Sequence, residues 1–132
     1  MIDLDVLDSI SEVELLSVMP ESASELTKFI QINSVVKMIN KFGGIRLCIP
    51  KIAKPQHQLV ELIGYEDFSK LCEIYSGEEI DIPKAVKLRQ LIRNKNILAC
   101  RAKGMSLSKL ARYFDLTERG VSKIIRRMEK IK

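Results

Sequence analysis

Aromatic residues are scarce in this chain of 132 residues, which has no tryptophan, four phenylalanines and three tyrosines. Hydrophobic residues still make up 46% of the sequence, which is enough for a packed core and argues against a disordered chain. That core must come from Leu, Ile, Val and Met, which recur here at helical spacing. The composition therefore favours a mainly α fold.

Long hydrophobic runs are also missing. No apolar stretch approaches the roughly 20 residues that cross a bilayer, and the first residues, MIDLDVLDSISEVELL, are acidic where a secretory signal is basic. We therefore expect a cytoplasmic protein. The three cysteines, Cys48, Cys72 and Cys100, lie far apart among apolar neighbours, so we expect small reduced core residues rather than a redox or metal site.

The residue patterns that enzymes use are absent from the sequence. His57 is the single histidine, and its place at the start of a predicted helix favours a surface or capping role. There is no Ser/His/Asp set, glycine-rich phosphate loop or metal-spaced cluster, and Glu79 with Asp81 fits the polar face of a strand. We expect no enzyme activity, no cofactor and no metal.

Charge is distributed very unevenly along the chain. Residues 84–132 hold fifteen Lys and Arg against three acidic residues, a net charge of +12. The first 83 residues hold seven basic and fourteen acidic residues, a net charge of −7. A basic half of this kind favours binding to nucleic-acid phosphates, because neutralising them releases counterions.

A tandem duplication occupies the middle of the chain. Residues 24–51 (repeat 1) align with residues 57–84 (repeat 2) at a constant offset of 33 and without a gap. The identical pairs are Leu26/Leu59, Ile30/Ile63, Lys37/Lys70, Gly44/Gly77, Ile49/Ile82, Pro50/Pro83 and Lys51/Lys84. Such self-similarity indicates two copies of one structural unit.

Each repeat is predicted to form a helical stretch followed by a short strand. The helices stop at Gly43-Gly44 and Ser76-Gly77, and residues 45–49 and 79–82 follow as alternating strands that end at a proline. One copy alone would expose an apolar helix face and an unpaired strand. Either the other copy or a second chain must therefore supply the missing partner.

The flanking segments also have predicted structure. Residues 1–23 form an acidic N-terminal arm, either a short helix or a loosely held segment. Pro83 is placed for the first turn of a helix over about residues 84–103, which Gly104 ends. Its inward side chains are predicted to be Leu88, Leu91, Ile92, Leu98, Ala99 and Ala102.

A helix-turn-helix is predicted between Ser106 and Lys130. Ser106 can cap a helix over residues 107–114, and Thr117 can cap a second helix that runs to about Lys130. The small Ala111 lies where the helices cross, and Asp115 occupies the turn position that needs a left-handed backbone.

The outward face of the second helix carries Glu118, Arg119, Ser122, Lys123, Arg126 and Arg127. This pattern is typical of a helix that enters the major groove. We predict base contacts from Arg119, Ser122 and Lys123, and DNA-backbone contacts from Arg126, Arg127 and Lys109, while the caps Ser106 and Thr117 are also placed to touch phosphate. The alternative is a helical hairpin whose basic face binds an acidic protein, as in an adaptor or antirepressor.

The order of these features resembles the Mor/C family of Mu-like phage transcription activators. The resemblance covers about residues 57–130: a glycine-terminated helix, a strand that ends in Ile-Pro-Lys, a connecting helix and SLSKLARYFDLTERGVSKIIRRM. It places Gly77, Ile80, Ile82 and Pro83 on the family's strand and hinge, and residues 119–127 on its recognition helix. It implies a homodimer that binds a dyad-symmetric promoter element of phage or prophage genes and helps RNA polymerase to bind.

The chain departs from that family pattern in four respects. Ser76-Gly77 replaces a glycine pair, Glu79 and Asp81 replace a neutral polar residue and a tyrosine, and Asp115 replaces the turn glycine. The duplication is the fourth departure, and its first copy keeps Gly43-Gly44 and carries Arg46 on the strand, in a position for a DNA-facing role.

The expected fold is mainly α, with tandem helix-strand repeats that form a dimerisation-type domain (residues 24–83), followed by a C-terminal helix-turn-helix DNA-binding domain (residues 84–132). The expected function is sequence-specific transcription regulation by a dimer on double-stranded DNA. In an activator the acidic arm, with Asp3, Asp5, Asp8, Glu12 and Glu14, would contact RNA polymerase or its σ factor. A repressor is a variant of the same hypothesis, because the position of the binding site decides the sign of regulation.

Overall fold

The computed structural model describes residues 6–130 and is mainly helical, as the composition predicted. After a short 3-10 helix at Leu7–Ser9, the α-helices in this range are α1 (Glu12–Ser17), α2 (Glu21–Leu26), α3 (Ile32–Phe42), α4 (Gln58–Ile63), α5 (Tyr65–Ile74), α6 (Val86–Ala102), α7 (Leu107–Tyr113) and α8 (Glu118–Lys130). The strands are β1 (Arg46–Cys48) and β2 (Glu79–Asp81). Within the described range, no helix is long and apolar enough to cross a membrane.

The chain forms two compact units. The first comprises residues 11–87, and the second comprises residues 88–130 together with residues 6–10. Within the first unit, α3 packs against α2 and α4, and α4 packs against α5. Fully buried apolar side chains on α3, α4 and α5 supply its core: Val35, Met38, Ile39, Leu59, Phe68 and Leu71.

The N-terminal segment is helical where the structure describes it. The Ser11 side chain caps α1 by accepting a hydrogen bond from the Glu14 amide at 3.2 Å. Leu7, Ile10 and Leu15 are buried, so this part of the predicted arm is held in place by its apolar residues. Asp3 and Asp5 lie outside the described residues.

The helical stretch predicted for each repeat is broken into two helices. In repeat 2, Gly64 separates α4 from α5 because its φ of +88° lies outside the helical region. In repeat 1, turns after Leu26 separate α2 from α3. The helix ends and strands that follow were correctly placed to within one or two residues.

β1 and β2 form a two-stranded antiparallel ribbon within one chain. Leu47 lies directly opposite Ile80, and these two residues occupy aligned positions of repeats 1 and 2. Beyond the strands, the Ile49 amide donates to the Glu78 carbonyl at 2.8 Å, and the Ile82 amide donates to the Ile45 carbonyl at 2.9 Å. The repeat alignment exchanges these two bonds, because Ile49 aligns with Ile82 and Ile45 aligns with Glu78. The backbone pairing therefore has an approximate two-fold symmetry.

A buried polar contact joins the helices of the two repeats. The Ser34 hydroxyl on α3 donates to the Asp67 carboxylate on α5 at 2.6 Å, and the Gln31 amide donates to the same oxygen at 3.2 Å. Ser34 and Asp67 are both 5% exposed and again occupy aligned positions. Asp67 thereby satisfies a backbone donor at the start of α3, where helical amides lack a partner.

His57 is the N-cap of α4, which confirms its predicted capping role. Its Nδ1 accepts a hydrogen bond from the Leu59 amide at 3.1 Å, and its ring stacks on Phe68 at a centroid distance of 4.7 Å. The cap and the stack together give His57 a structural role at the start of repeat 2.

The helix predicted over about residues 84–103 is present as α6, with ends within two residues of the prediction. The placing of Pro83 in its first turn was wrong, because Ala85 has a φ of +52° and separates Pro83 from the helix start at Val86. The predicted inward face was also shifted: Asn96 and Ile97 are buried, whereas Ala102 is exposed. Leu88 and Ile92 are buried as predicted.

The three cysteines differ in exposure, which corrects their common assignment to the core. Cys72 is buried and Cys100 is half-buried, but Cys48 is exposed. Strand alternation is the reason, because Leu47 and Ile49 point inward and leave Cys48 on the outer face. Burial raises the pKa of the Cys72 thiol.

These environments predict thiol reactivity. With a disulfide reagent at mildly alkaline pH, Cys48 should react at the rate of a small free thiol. Cys72 should react at least about tenfold more slowly, because its buried, protonated thiol is the less reactive form. Peptide mapping after timed quenching measures both rates. Cys48→Ser is the control and should leave the slow rate at Cys72 unchanged. Modification of the Cys72 peptide as fast as that of the Cys48 peptide would contradict the assignment.

Candidate nucleic-acid interface

The α7–α8 pair is held by its own hydrophobic core. Ile97 on α6, Leu110 and Ala111 on α7, and Val121 on α8 form the buried centre of this core. Partly buried apolar residues surround it: Cys100, Met105, Leu107, Phe114, Leu116, Ile124 and Ile125. Packing from three helices therefore fixes the orientation of α8 relative to α7.

Both predicted helix caps are present. The Ser106 hydroxyl oxygen accepts a hydrogen bond from the Lys109 amide at 3.1 Å, and the Thr117 oxygen accepts one from the Gly120 amide at 2.9 Å. A Cβ at Gly120 would lie 3.1 Å from the Thr117 Oγ1, which is a tight approach. Gly120 thus leaves room for the cap, a role that sequence reasoning missed.

The turn between the helices has the predicted backbone. Asp115 has a φ of +56°, the left-handed conformation that Asp tolerates better than most residues. The Leu116 amide then donates to the Ala111 carbonyl at 2.8 Å and closes the end of α7. Ala111 is 7% exposed, so its small side chain lies inside the core as predicted.

The outer face of α8 is strongly cationic. Arg119, Lys123, Arg126 and Arg127 are all exposed. Their spacing of four, three and one residues places them on one side of a helix with 3.6 residues per turn. Ser122 is half-buried beside them, whereas Val121 is fully buried on the opposite side. The structure therefore brings the predicted base-contacting and phosphate-contacting residues of α8 onto one surface.

The remaining predicted site residues flank α8. Lys109 is exposed on α7, and the hydroxyl groups of Ser106 and Thr117 are exposed but engaged as caps. Each hydroxyl accepts a backbone hydrogen bond, so its own hydrogen is left to donate to an outside acceptor such as a phosphate oxygen.

Two exposed residues of α7 were missed by sequence reasoning. Tyr113 is 71% exposed and makes an edge-to-face contact with Phe114, with ring centroids 4.9 Å apart. Arg112 beside it is also exposed. Since Tyr113 lies four residues after Lys109, helical spacing could have placed both on one side of α7.

The ribbon of the first unit offers a different electrostatic surface. Arg46 donates through Nε to the Asp81 carboxylate at 3.0 Å and lies 3.6 Å from the Glu79 carboxylate. The hydrogen bond to Asp81 and the two negative charges raise the pKa of Arg46. With Glu79 and Asp81 both exposed, the outer face of the ribbon is more acidic than basic. It suits DNA phosphate less well than α8 does.

A metal site needs several ligating side chains close together in the part of the chain that the structure describes. No group of three His, Cys, Asp or Glu side chains is placed there to hold a metal ion.

The caps predict a measurable effect on stability. Thr117→Ala should destabilise the chain by about 1 kcal/mol, because the Gly120 amide loses its acceptor at the start of α8. Urea unfolding followed by circular dichroism measures this loss. Thr117→Ser keeps the oxygen and should stay within a few tenths of a kcal/mol of the parent. Equal losses in both variants would show that the methyl group, rather than the cap, matters.

Part of the chain matches a known protein family. The model of the Mor transcription activator family matches residues 54–132, a segment that contains repeat 2, α6, α7 and α8. Repeat 1 and the helices before it lie outside the matched segment. No curated protein and no solved structure matches the chain.

Proposed function

Because the chain belongs to the Mor transcription activator family, we propose that it activates transcription by binding double-stranded DNA through a helix-turn-helix formed by α7 and α8. The family is one of transcription activators rather than of enzymes. We propose that the chain acts on phage or prophage genes. It would do so in the cytoplasm, where that DNA lies.

The observation that carries this proposal is the cationic face of α8. Four exposed Lys and Arg residues share that face, and the core and two caps hold the helix at a fixed angle to α7. The major groove of B-DNA admits one α-helix, whose first turns reach base edges while neighbouring cations meet phosphates. A rigid cationic helix is the shape and charge that this groove accepts.

The position of each residue along α8 suggests its role. Arg119, Ser122 and Lys123 lie in the first turns and are proposed to contact bases. Because Ser122 is half-buried and short, it can reach a base only where α8 lies close to the floor of the groove. Arg126, Arg127 and Lys109 are proposed to contact phosphates. The cap hydroxyls of Ser106 and Thr117 add weaker phosphate contacts.

One helix-turn-helix offers a small DNA interface, so a second chain at a neighbouring half-site would add affinity. We propose that two chains occupy a dyad-symmetric promoter element as a homodimer, as the family resemblance implied. Recruitment of RNA polymerase or its σ factor would then follow from the acidic residues near the N-terminus.

Base recognition is tested by selecting binding sites from random duplex DNA at physiological salt. The parent chain should recover two half-sites about one helical turn apart. Arg119→Ala and Lys123→Ala should each relax the preference at particular positions, at a cost of about 1–3 kcal/mol. Arg126→Ala should weaken binding to all sequences alike and lower the salt slope by about 1.

Lys54→Ala, which removes an exposed lysine of the first unit, is the matched control and should leave the selected sequence unchanged. Recovery of no preferred sequence, with affinity unchanged by Arg119→Ala and Lys123→Ala, would overturn the proposal. It would favour the alternative of an adaptor or antirepressor that binds an acidic protein through the same basic face.

Polymerase contact is tested with charge changes rather than by truncation, since deleting residues 1–20 would remove the buried Leu7, Ile10 and Leu15. Asp8 and Glu12 are exposed, so Asp8→Asn with Glu12→Gln should keep the fold. Transcription in vitro should fall several-fold while footprinting of the promoter is unchanged. Glu73→Gln, at another exposed acid, should have no effect. Full activation by the double variant would remove the N-terminal acids from the mechanism.

A further inference from the structure

The approximate two-fold symmetry that relates repeats 1 and 2 holds for contacts of their side chains as well as for the pairing of their backbones. Leu47 faces Ile80 in the ribbon, and Ser34 contacts Asp67 between the helices. A Cβ added at Gly44 would lie 3.0 Å from the Lys84 side chain, and one added at Gly77 would lie 3.0 Å from the Lys51 side chain. Each repeat therefore fills the surface that the other leaves open.

The polar residues around this axis are not the same in the two repeats. Repeat 2 has Asp67 where repeat 1 has Ser34, and Glu79 where repeat 1 has Arg46. In the observed pairing these differences are complementary. The buried carboxylate of Asp67 accepts a hydrogen bond from the Ser34 hydroxyl. Arg46 donates to the Asp81 carboxylate and forms an ion pair with Glu79.

Pairing of like repeats from two chains would lose this complementarity. Two copies of repeat 2 in the same register would bring two Asp67 carboxylates together in a buried position and would set Glu79 opposite Asp81 twice. Buried unpaired carboxylates and like charges opposite each other are both unfavourable. Two copies of repeat 1 would set Arg46 opposite Cys48, without a carboxylate on the facing strand.

We propose that repeat 1 is the built-in partner of repeat 2, and that Ser34, Asp67, Arg46, Glu79 and Asp81 exclude a second copy of the chain from this surface. Residues 52–56 are the only link between the repeats, and so short a connection holds them at an effective concentration of about millimolar or more. At a micromolar concentration of the protein, pairing within one chain therefore outcompetes pairing between repeats of two chains. The chain is a monomer without DNA, and a second chain joins it only at a second half-site.

A disulfide across the ribbon tests where the partner strand comes from. Cys48 is exposed and lies directly opposite Glu79, so Glu79→Cys should form a Cys48 to residue-79 disulfide under mild oxidation. The product should keep the mass of one chain on a non-reducing gel, and peptide mapping should identify the link. A disulfide-linked dimer through these positions would overturn the proposal.

Asp81→Cys is the matched control for this cross-link. This substitution replaces another acid on the same face of β2. Residue 81, however, is diagonal to Cys48 rather than opposite it, so the two residues are about 7–8 Å apart. It should cross-link at least about tenfold more slowly than Glu79→Cys, because that separation exceeds the reach of an unstrained disulfide. Light scattering of the unmodified chain in the absence of DNA should give the mass of one chain at micromolar concentration, and a stable dimer there would also overturn the proposal.

The role of the buried Ser34–Asp67 pair is tested by placing two carboxylates in contact at this position within one chain. Ser34→Asp places a carboxylate against Asp67 and should raise the unfolded fraction in urea by a factor of about ten or more. Adding Asp67→Ser restores one Ser and one Asp with exchanged positions and should recover most of that loss. If Ser34→Asp unfolds no more readily than the parent, these residues do not discriminate between partners. Because no DNA is present in these experiments, their failure would leave the proposed DNA binding untouched.

Discussion

The antiparallel pairing of β1 with β2 is the contact on which the first unit depends. Each strand is three residues long, and a two-stranded ribbon of this size is marginal in water unless a helical layer covers one face. Here Leu47, Ile49 and Ile82 are buried beneath the ribbon, so pairing of the strands and burial of their inner side chains occur together. Neither repeat can complete this arrangement alone.

The same alternation explains the chemistry of the outer face. With Leu47 and Ile49 directed inward, Arg46 and Cys48 must face outward, and Glu79 and Asp81 do so on the other strand. The ion pairs of Arg46 and the exposure of Cys48 are thus consequences of one register. A shift by one residue would bury these charges and expose the apolar set, which is why the register is strongly determined.

Local signals in the sequence predicted much of the second unit. The caps at Ser106 and Thr117, the left-handed Asp115 and the small buried Ala111 depend on residues within one or two helical turns of each other. The breaks at Gly64 and Ala85 were missed for a physical reason: glycine is common in loops of many kinds, and a positive φ at alanine is set by tertiary contacts. The Ser34–Asp67 contact was also beyond prediction, since it joins residues 33 positions apart.

The two halves of the sequence carry opposite net charges. The −7 of residues 1–83 accompanies the repeats, while the +12 of residues 84–132 is spread over α6, α7, α8 and the residues beside them. If the chain binds DNA as proposed, phosphate attracts the second half and repels the first, so net charge favours an approach to DNA through residues 84–132 before any base is contacted. Base recognition in the proposed complex would then depend on how rigidly α8 is held. The Thr117 cap, the absence of a side chain at Gly120 and the core around Val121 all act on that one helix. In the proposed complex, attraction by net charge and discrimination by α8 are separate properties. Neutralising one cation on α8 changes the net charge of residues 84–132 only from +12 to +11, but it removes a whole contact to a base or a phosphate.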